Sequence, residues 1–195
     1  VLLRYPHLIP LDIPDIDLLV ETTEQYRRAH DLLKREGYHP LATEKLRTFF
    51  SKKVGDTLIL IDVYQEVSWW GWIVLDKQPL FARKRAVQQL IIVPSVEDEL
   101  LIYVGQGLFK NKQLDTHKAE VVRQLALGDI DFSYINKQLS KNGWKGAFTK
   151  ALNQVKHSTG KVSFSKLLIL QSFLRALFSQ PGKRIPIIGR AVRFT

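Results

Sequence analysis

The chain has 195 residues, of which 45% are hydrophobic and 25% charged, an ordinary composition for a globular protein of one domain or of one domain with a small appendage. It has no cysteine, which excludes disulfide bonds and thiolate metal sites and favours a cytoplasmic location, and no run approaches the roughly 20 apolar residues of a membrane span. The net charge of +10 is uneven, with a balance of −2 over residues 1–100 and +12 over residues 101–195. The basic half favours anionic partners such as phosphates or nucleic acid, although scattered lysines also suit a solvated helical surface.

Strand and helix patterns alternate in the first part of the chain. The helical segment TEQYRRAHDLLKRE has its predicted cap at Thr23, places apolar residues on one face and ends before Gly37. Gly55 and Asp56 lie in a polar turn between two β-type runs, which predicts a hairpin. Strands are predicted at residues 16–21, 47–53, 58–67, 72–75 and 88–94.

The second part of the chain is helical in character. Ser95 precedes three acidic residues, the usual pattern at a helix N-terminus. This order of elements predicts an α+β fold, with a small mixed β-sheet and flanking helices followed by a C-terminal helical bundle. Helices are predicted at residues 96–110, 116–127, 132–141, 144–156 and 164–178. The predicted domains are an α+β unit at 1–94, a helical unit at 95–180 and a basic tail or linker at 181–195.

The last predicted helix, residues 164–178, is apolar almost all round. We expect it either to be a buried central helix or to meet a partner, which would make the chain a homodimer. The segment after it contains two prolines, two glycines and four basic residues, and it ends in the strand-like sequence RAVRFT. That ending predicts a further domain after Thr195.

A pair of aspartates opens the first predicted strand, in the stretch DIPDIDLLVE at residues 12–21. Since alternate side chains of a strand share a face, Asp15 and Asp17 should point to the same side. Two like charges this close raise each other's pKa unless a cation lies between them, and Mg²⁺ (or Mn²⁺) prefers such oxygen ligands. An aspartate-rich turn after Pro14 is the alternative interpretation.

A third carboxylate, Asp62, interrupts the apolar run LILIDVYQEV. A buried aspartate needs a partner or a function, and a strand paired next to residues 16–21 would bring Asp62 beside Asp15 and Asp17. Three carboxylates at one metal centre would serve phosphoryl or nucleotidyl transfer, with Asp62 as the catalytic residue that orients or deprotonates the nucleophile. A strand edge, with Asp62 facing solvent, is the alternative.

The stretches DIDLLVE, KREGYHP and LILIDVY, followed by PSVEDELL, resemble the core of the nucleotidyltransferase superfamily with the DNA polymerase β-like fold. They are most similar to an uncharacterised nucleotidyltransferase-like group, and the resemblance covers roughly residues 1–125. It implies that Asp15, Asp17 and Asp62 are metal ligands and that the chain transfers a nucleoside monophosphate from a nucleoside triphosphate to an unidentified acceptor. The acceptor could be a sugar, a small molecule, a protein side chain or RNA.

One departure from the family concerns the phosphate-binding element. Typical members carry a Gly-Ser or Gly-Gly dipeptide before the paired carboxylates, whereas VLLRYPHLIPLDIP has no glycine. Either that element precedes Val1, or Arg4 binds the phosphates through its guanidinium group. Lys118, near the start of a predicted helix, is a second nucleotide-binding candidate. A catalytically degenerate nucleotide- or nucleic-acid-binding module is the alternative function.

Overall fold

The strands of the first part form one four-stranded mixed sheet in the order β1–β4–β3–β2. The structure is a computed structural model, and it describes residues 15–69, 72–87 and 91–179 of the chain. β1 runs parallel to β4, and the other neighbours are antiparallel. The mixed sheet and the helices that follow it confirm the predicted α+β fold. The bounds are Ile16–Leu19 for β1, His39–Glu44 for β2, Arg47–Val54 for β3 and Thr57–Tyr64 for β4.

A helix, α1 (Thr23–Arg35), connects β1 to β2. Its cap is Thr22 rather than the predicted Thr23, because the Thr22 hydroxyl accepts from the Gln25 N–H while the Gln25 side chain accepts from the Thr22 N–H. Gly37, with φ of 80°, follows the helix in the left-handed conformation that a C′ glycine adopts.

The face of the sheet beneath α1 is apolar. A small core there consists of Leu33, Phe50, Ile61 and Val63. Alternation along β4 places Ile61 and Val63 on this face and Asp62 on the opposite one. The burial of Asp62 therefore depends on what covers the other face, where the helical part of the chain lies.

Short elements connect the sheet to the helices, and several of them escaped the sequence analysis. The main hydrophobic core joins helical residues to apolar side chains between Val67 and Leu80, which the predicted boundary at residue 94 assigns to the first domain. The domain bounds stay a prediction. The short elements are β5 (Val67–Trp69), β6 (Trp72–Leu75), α2 (Lys77–Ala82), β7 (Arg85–Val87) and β8 (Ile91–Val93).

The helical part begins with α3 (Val96–Gly105), which changes to a π-helical segment at Gln106–Asn111 rather than continuing as the predicted α-helix to residue 110. The segment packs closely at Gly107, where an added Cβ would lie 2.6 Å from Cδ2 of the buried Leu114. Lys112, with φ of 60°, ends the segment. Beyond it lie β9 (Gln113–Leu114), α4 (Thr116–Leu127), α5 (Phe132–Asn142), α6 (Lys145–His157), β10 (Val162–Ser163) and α7 (Lys166–Ser179).

The close approach at Gly107 gives the first testable prediction. Gly107→Ala should destabilise the fold by about 1–3 kcal/mol, because Leu114 is fully buried and cannot move away from the added methyl group. Gly160→Ala is the matched control, since a Cβ at that position meets no atom within 4 Å. Urea unfolding of the two variants measures the difference, and equal stabilities would contradict the packing account.

The first turn of α3 is held by a buried polar network. The Ser95 hydroxyl and the Tyr134 hydroxyl each donate to Asp98, at 2.7 Å. Glu97 accepts from the Arg83 guanidinium at 2.9 Å and from the Asp131 N–H at 3.1 Å. These bonds connect α2 and α5 to α3, and they fix the helix that covers the polar face of the sheet.

The final helix, α7, is not the buried central helix that its composition favours. Leu168 is buried, while Leu167, Leu170 and Leu174 are between 43% and 64% exposed. Within the residues described, no helix is long and apolar enough to cross a membrane. The predicted tail at 181–195, and with it the evidence for a further domain, lies outside the described residues.

Candidate active site between strands β1 and β4

Asp17 and Asp62 are direct neighbours on two parallel strands. In the β1–β4 register Asp17 lies opposite Asp62, and Leu19 lies opposite Tyr64. Paired residues of adjacent strands point to the same face, and the strands are about 4.8 Å apart, so the two carboxyl groups share one site. The strand pairing on which the sequence-based hypothesis depends is therefore present. Asp15, one residue before β1, acts electrostatically on both carboxyl groups.

Asp62 is fully buried, and only one of its oxygens accepts a hydrogen bond of normal geometry within residues 15–69, 72–87 and 91–179. Oδ2 accepts from Nη1 of Arg47 at 3.3 Å, while the buried Oδ1 accepts no hydrogen bond of normal geometry from any described residue. Burial raises the pKa of Asp62, and the neighbouring Tyr64 hydroxyl, followed by the Arg47 guanidinium, only partly opposes that effect. A buried carboxylate oxygen without a donor is costly, which makes Oδ1 an available cation ligand.

Asp17 retains solvent access, with more than a third of its surface exposed. Protein nevertheless surrounds much of its carboxyl group. Desolvation is the main cause that raises the pKa of Asp17 to about 6, and the charge of Asp15 is the second. The charge of Asp62 acts in the same direction. The site therefore concentrates negative charge that a bound cation would relieve.

Arg47 and Tyr64 complete the polar face on the strand side, and the sequence analysis missed both. Nη1 of Arg47 donates to the Tyr64 hydroxyl at 3.3 Å, and Arg47 also makes a bidentate pair with Glu44, both bonds being 3.0 Å. Burial, followed by the neighbouring Asp62, raises the pKa of Tyr64. The two-residue turn at Gly55 and Asp56 fixes the hairpin register that pairs Arg47 with Tyr64, and this signal could have identified them.

The helical part contributes Lys110 and Tyr103. The positive charge of Lys110, on the π-helical segment, lowers the pKa of both Asp17 and Asp62. Burial raises the pKa of Tyr103 to about 12, and the charges of Glu99 and Asp17 add to the effect. Lys110 makes no ion pair within 4 Å in the part of the chain that the structure describes. It is therefore an available cation beside the carboxylate pair.

The two nucleotide-binding candidates from the sequence have different outcomes. Arg4 lies outside the described residues. Lys118 is in the first turn of α4, where its N–H donates to the capping Asp115 at 2.8 Å and its ammonium group lies 3.7 Å from the same carboxylate. The role of Lys118 stays a prediction, and Lys110 is the lysine that acts on both carboxyl groups.

The donor set suits a hard divalent cation. No group of three or more His, Asp or Glu side chains is arranged to hold a metal ion among residues 15–69, 72–87 and 91–179. Mg²⁺, however, is commonly held by only one or two carboxylates, with water and substrate phosphates supplying the other oxygens. Asp17 and the unpartnered Oδ1 of Asp62 meet that requirement.

Comparisons of the chain with protein-family models, with curated proteins and with solved structures found no match. The resemblance to nucleotidyltransferases therefore depends on the DIDLLVE and LILIDVY motifs. What the structure adds is the side-by-side placement of Asp17 and Asp62, with one buried carboxylate oxygen that finds no donor in the part of the chain that the structure describes.

Proposed function

We propose that the chain is a metal-dependent nucleotidyltransferase, which transfers a nucleoside monophosphate from a nucleoside triphosphate to an acceptor hydroxyl or amine. The observation that carries this proposal is the pairing of Asp17 with Asp62, whose buried Oδ1 has no hydrogen-bond partner among the described residues. A solvated charge pair would need no buried member, and a structural aspartate would normally have all its acceptors satisfied. An oxygen-rich cation site explains both features.

Asp17 and Asp62 would hold Mg²⁺ (or Mn²⁺), and Asp15, the third predicted ligand, lies at the same end of β1. The cation would neutralise phosphate charge on the bound nucleotide. Arg47 holds Asp62 through Oδ2, and Oδ1 would then be the oxygen that binds the cation. Tyr64, held by the same guanidinium group, keeps Arg47 in place.

Asp62 would also assist the nucleophile. It would accept the proton of the acceptor group as the acceptor oxygen or nitrogen attacks the α-phosphorus. The bond from the α-phosphorus to its bridging oxygen would break, and pyrophosphate would leave with that electron pair. Lys110 would stabilise the charge on the leaving phosphates, since it is the half-buried lysine that faces the carboxylates from the helical side.

Equilibrium dialysis of the native chain against a panel of labelled nucleoside triphosphates tests this function. We expect retention of at least one nucleotide in the presence of Mg²⁺ or Mn²⁺, with loss of retention when EDTA is added. Release of labelled pyrophosphate on addition of candidate acceptors would establish transfer. Retention without metal dependence would contradict the proposal, and metal-dependent retention that never yields pyrophosphate would favour the non-catalytic binding module.

A further inference from the structure

The C-terminal part of the chain is basic without any compensating acid. Residues 132–195 contain no aspartate or glutamate and 12 lysine and arginine residues. In the described portion only Lys141 of its lysines forms an ion pair, with Asp76 at 2.6 Å. The lysines of that portion are all exposed: Lys137, Lys141, Lys145, Lys150, Lys156, Lys161 and Lys166. Such a surface is complementary to a polyanion.

A groove between α6 and α7 lies within this basic region. Its larger cavity has a volume of about 280 Å³. A smaller cavity shares Lys150, Leu168 and Gln171 with it and extends to the Gly143–Trp144 turn. This volume is slightly below the range that encloses a whole small-molecule ligand, so the groove suits one part of a larger molecule. The larger cavity is lined by Lys150, Asn153, Gln154, Ser165, Leu167 and Gln171.

The lining combines amide groups with an apolar wall. The side-chain amides of Asn153, Gln154 and Gln171 make no hydrogen bond with any residue that the structure describes. Each amide offers donors and acceptors together, as the edge of a nucleobase does. Leu167 supplies an apolar surface for the flat face of a base, and Lys150 supplies a cation for the adjoining phosphate.

From this arrangement we infer that the α6–α7 groove binds single-stranded nucleic acid. The phosphate backbone contacts Lys150 and the neighbouring exposed lysines, and one base enters the larger cavity. Duplex nucleic acid presents no free base to such a cavity. An anionic membrane would neutralise the lysines but would leave the groove amides against hydrocarbon, which is unfavourable.

Fluorescence anisotropy with a labelled 12-nucleotide RNA, and with DNA of the same sequence, tests the inference at several salt concentrations. We expect the logarithm of the binding constant to fall linearly with the logarithm of the salt concentration. Lys150→Gln should weaken binding by about 3- to 10-fold and reduce the slope of that line by about one. Asn153→Ala should weaken binding without changing the slope. Lys53→Gln is the matched control, because Lys53 is an exposed lysine in the β3–β4 hairpin and should leave binding unchanged.

Binding is measured in EDTA and repeated with Asp62→Asn, so failure here is distinguishable from failure of the proposed transferase activity. The inference would be overturned by absence of binding at 50 mM salt. Equal weakening by Lys53→Gln, or binding to duplex as tight as to the single strand, would overturn it too. Tighter binding to vesicles of phosphatidylserine and phosphatidylcholine than to the oligonucleotide would assign the surface to membranes instead.

Discussion

Asp62→Asn is expected to weaken Mn²⁺ binding by about 100-fold or more. Removing a residue that only hydrogen-bonds to a metal ligand already lowers metal affinity by about 10- to 100-fold, and Asp62 is proposed to bind the metal directly. The substitution removes the buried negative charge while preserving the shape of the side chain. The amide oxygen can still accept the hydrogen bond that Arg47 donates to Asp62. Titration of the native and variant chains followed by electron paramagnetic resonance of free Mn²⁺ measures the difference.

The matched control for this variant is Asp56→Asn. Asp56 is an exposed aspartate in the turn between β3 and β4, on the same hairpin as Asp62. It should bind Mn²⁺ as the native chain does. Asp62→Asn should unfold at the same urea concentration as the native chain or at a higher one, because burial already disfavours the charged form of Asp62. Unchanged Mn²⁺ affinity in Asp62→Asn would exclude this carboxylate from the metal site.

Arg47→Met should destabilise the fold by about 2 kcal/mol. The side chain of Asp62 is 1% exposed, and the substitution removes its ion-pair partner, so that only Tyr64 and Lys110 still oppose the buried charge. The estimate lies below the 3–5 kcal/mol typical of a fully buried pair, because the Arg47 side chain is itself 28% exposed. Urea unfolding at neutral pH measures the change in the free energy of unfolding.

A double-mutant cycle separates the charge pair from the other contacts of Arg47. Adding Asp62→Asn to Arg47→Met should recover most of the lost stability, because the uncompensated charge is then gone. Glu44→Ala removes the exposed partner of Arg47 and should cost less than about 0.5 kcal/mol. If the double variant loses as much unfolding free energy as the two single variants lose together, loss of the Arg47–Asp62 pair is not the cause of the destabilisation.

The strand side of the site could be predicted from the sequence. The apolar runs around Asp17 and Asp62 indicate neighbouring strands, and their pairing brings the carboxylates together. The burial expected of both strands is wrong for β1, in which Ile16 and Leu18 are exposed. Arg47 and Tyr64 follow from the hairpin register, which the turn at Gly55 determines. The signal for these two residues therefore lies in the turn and the strand register rather than in a single motif.

The helical side of the site could not be predicted in the same way. The placement of Lys110 depends on a π-helical segment that forms where Gly107 meets the buried side chain of Leu114. That contact is tertiary, and helical periodicity alone predicts a regular α-helix through residue 110. The exposure of Leu167 on α7 was missed for a related reason, since an apolar composition does not reveal which face of a helix is covered.

Crystals of the native chain grown with Mn²⁺ and a non-hydrolysable nucleoside triphosphate analogue would test the central claim most directly, through the anomalous signal of the metal. We expect a peak of anomalous density about 2 Å from a carboxylate oxygen of Asp17 and from Oδ1 of Asp62, with phosphate oxygens completing the coordination of the metal. Bound nucleotide whose phosphates lie elsewhere, with no peak between these two carboxyl groups, would contradict it.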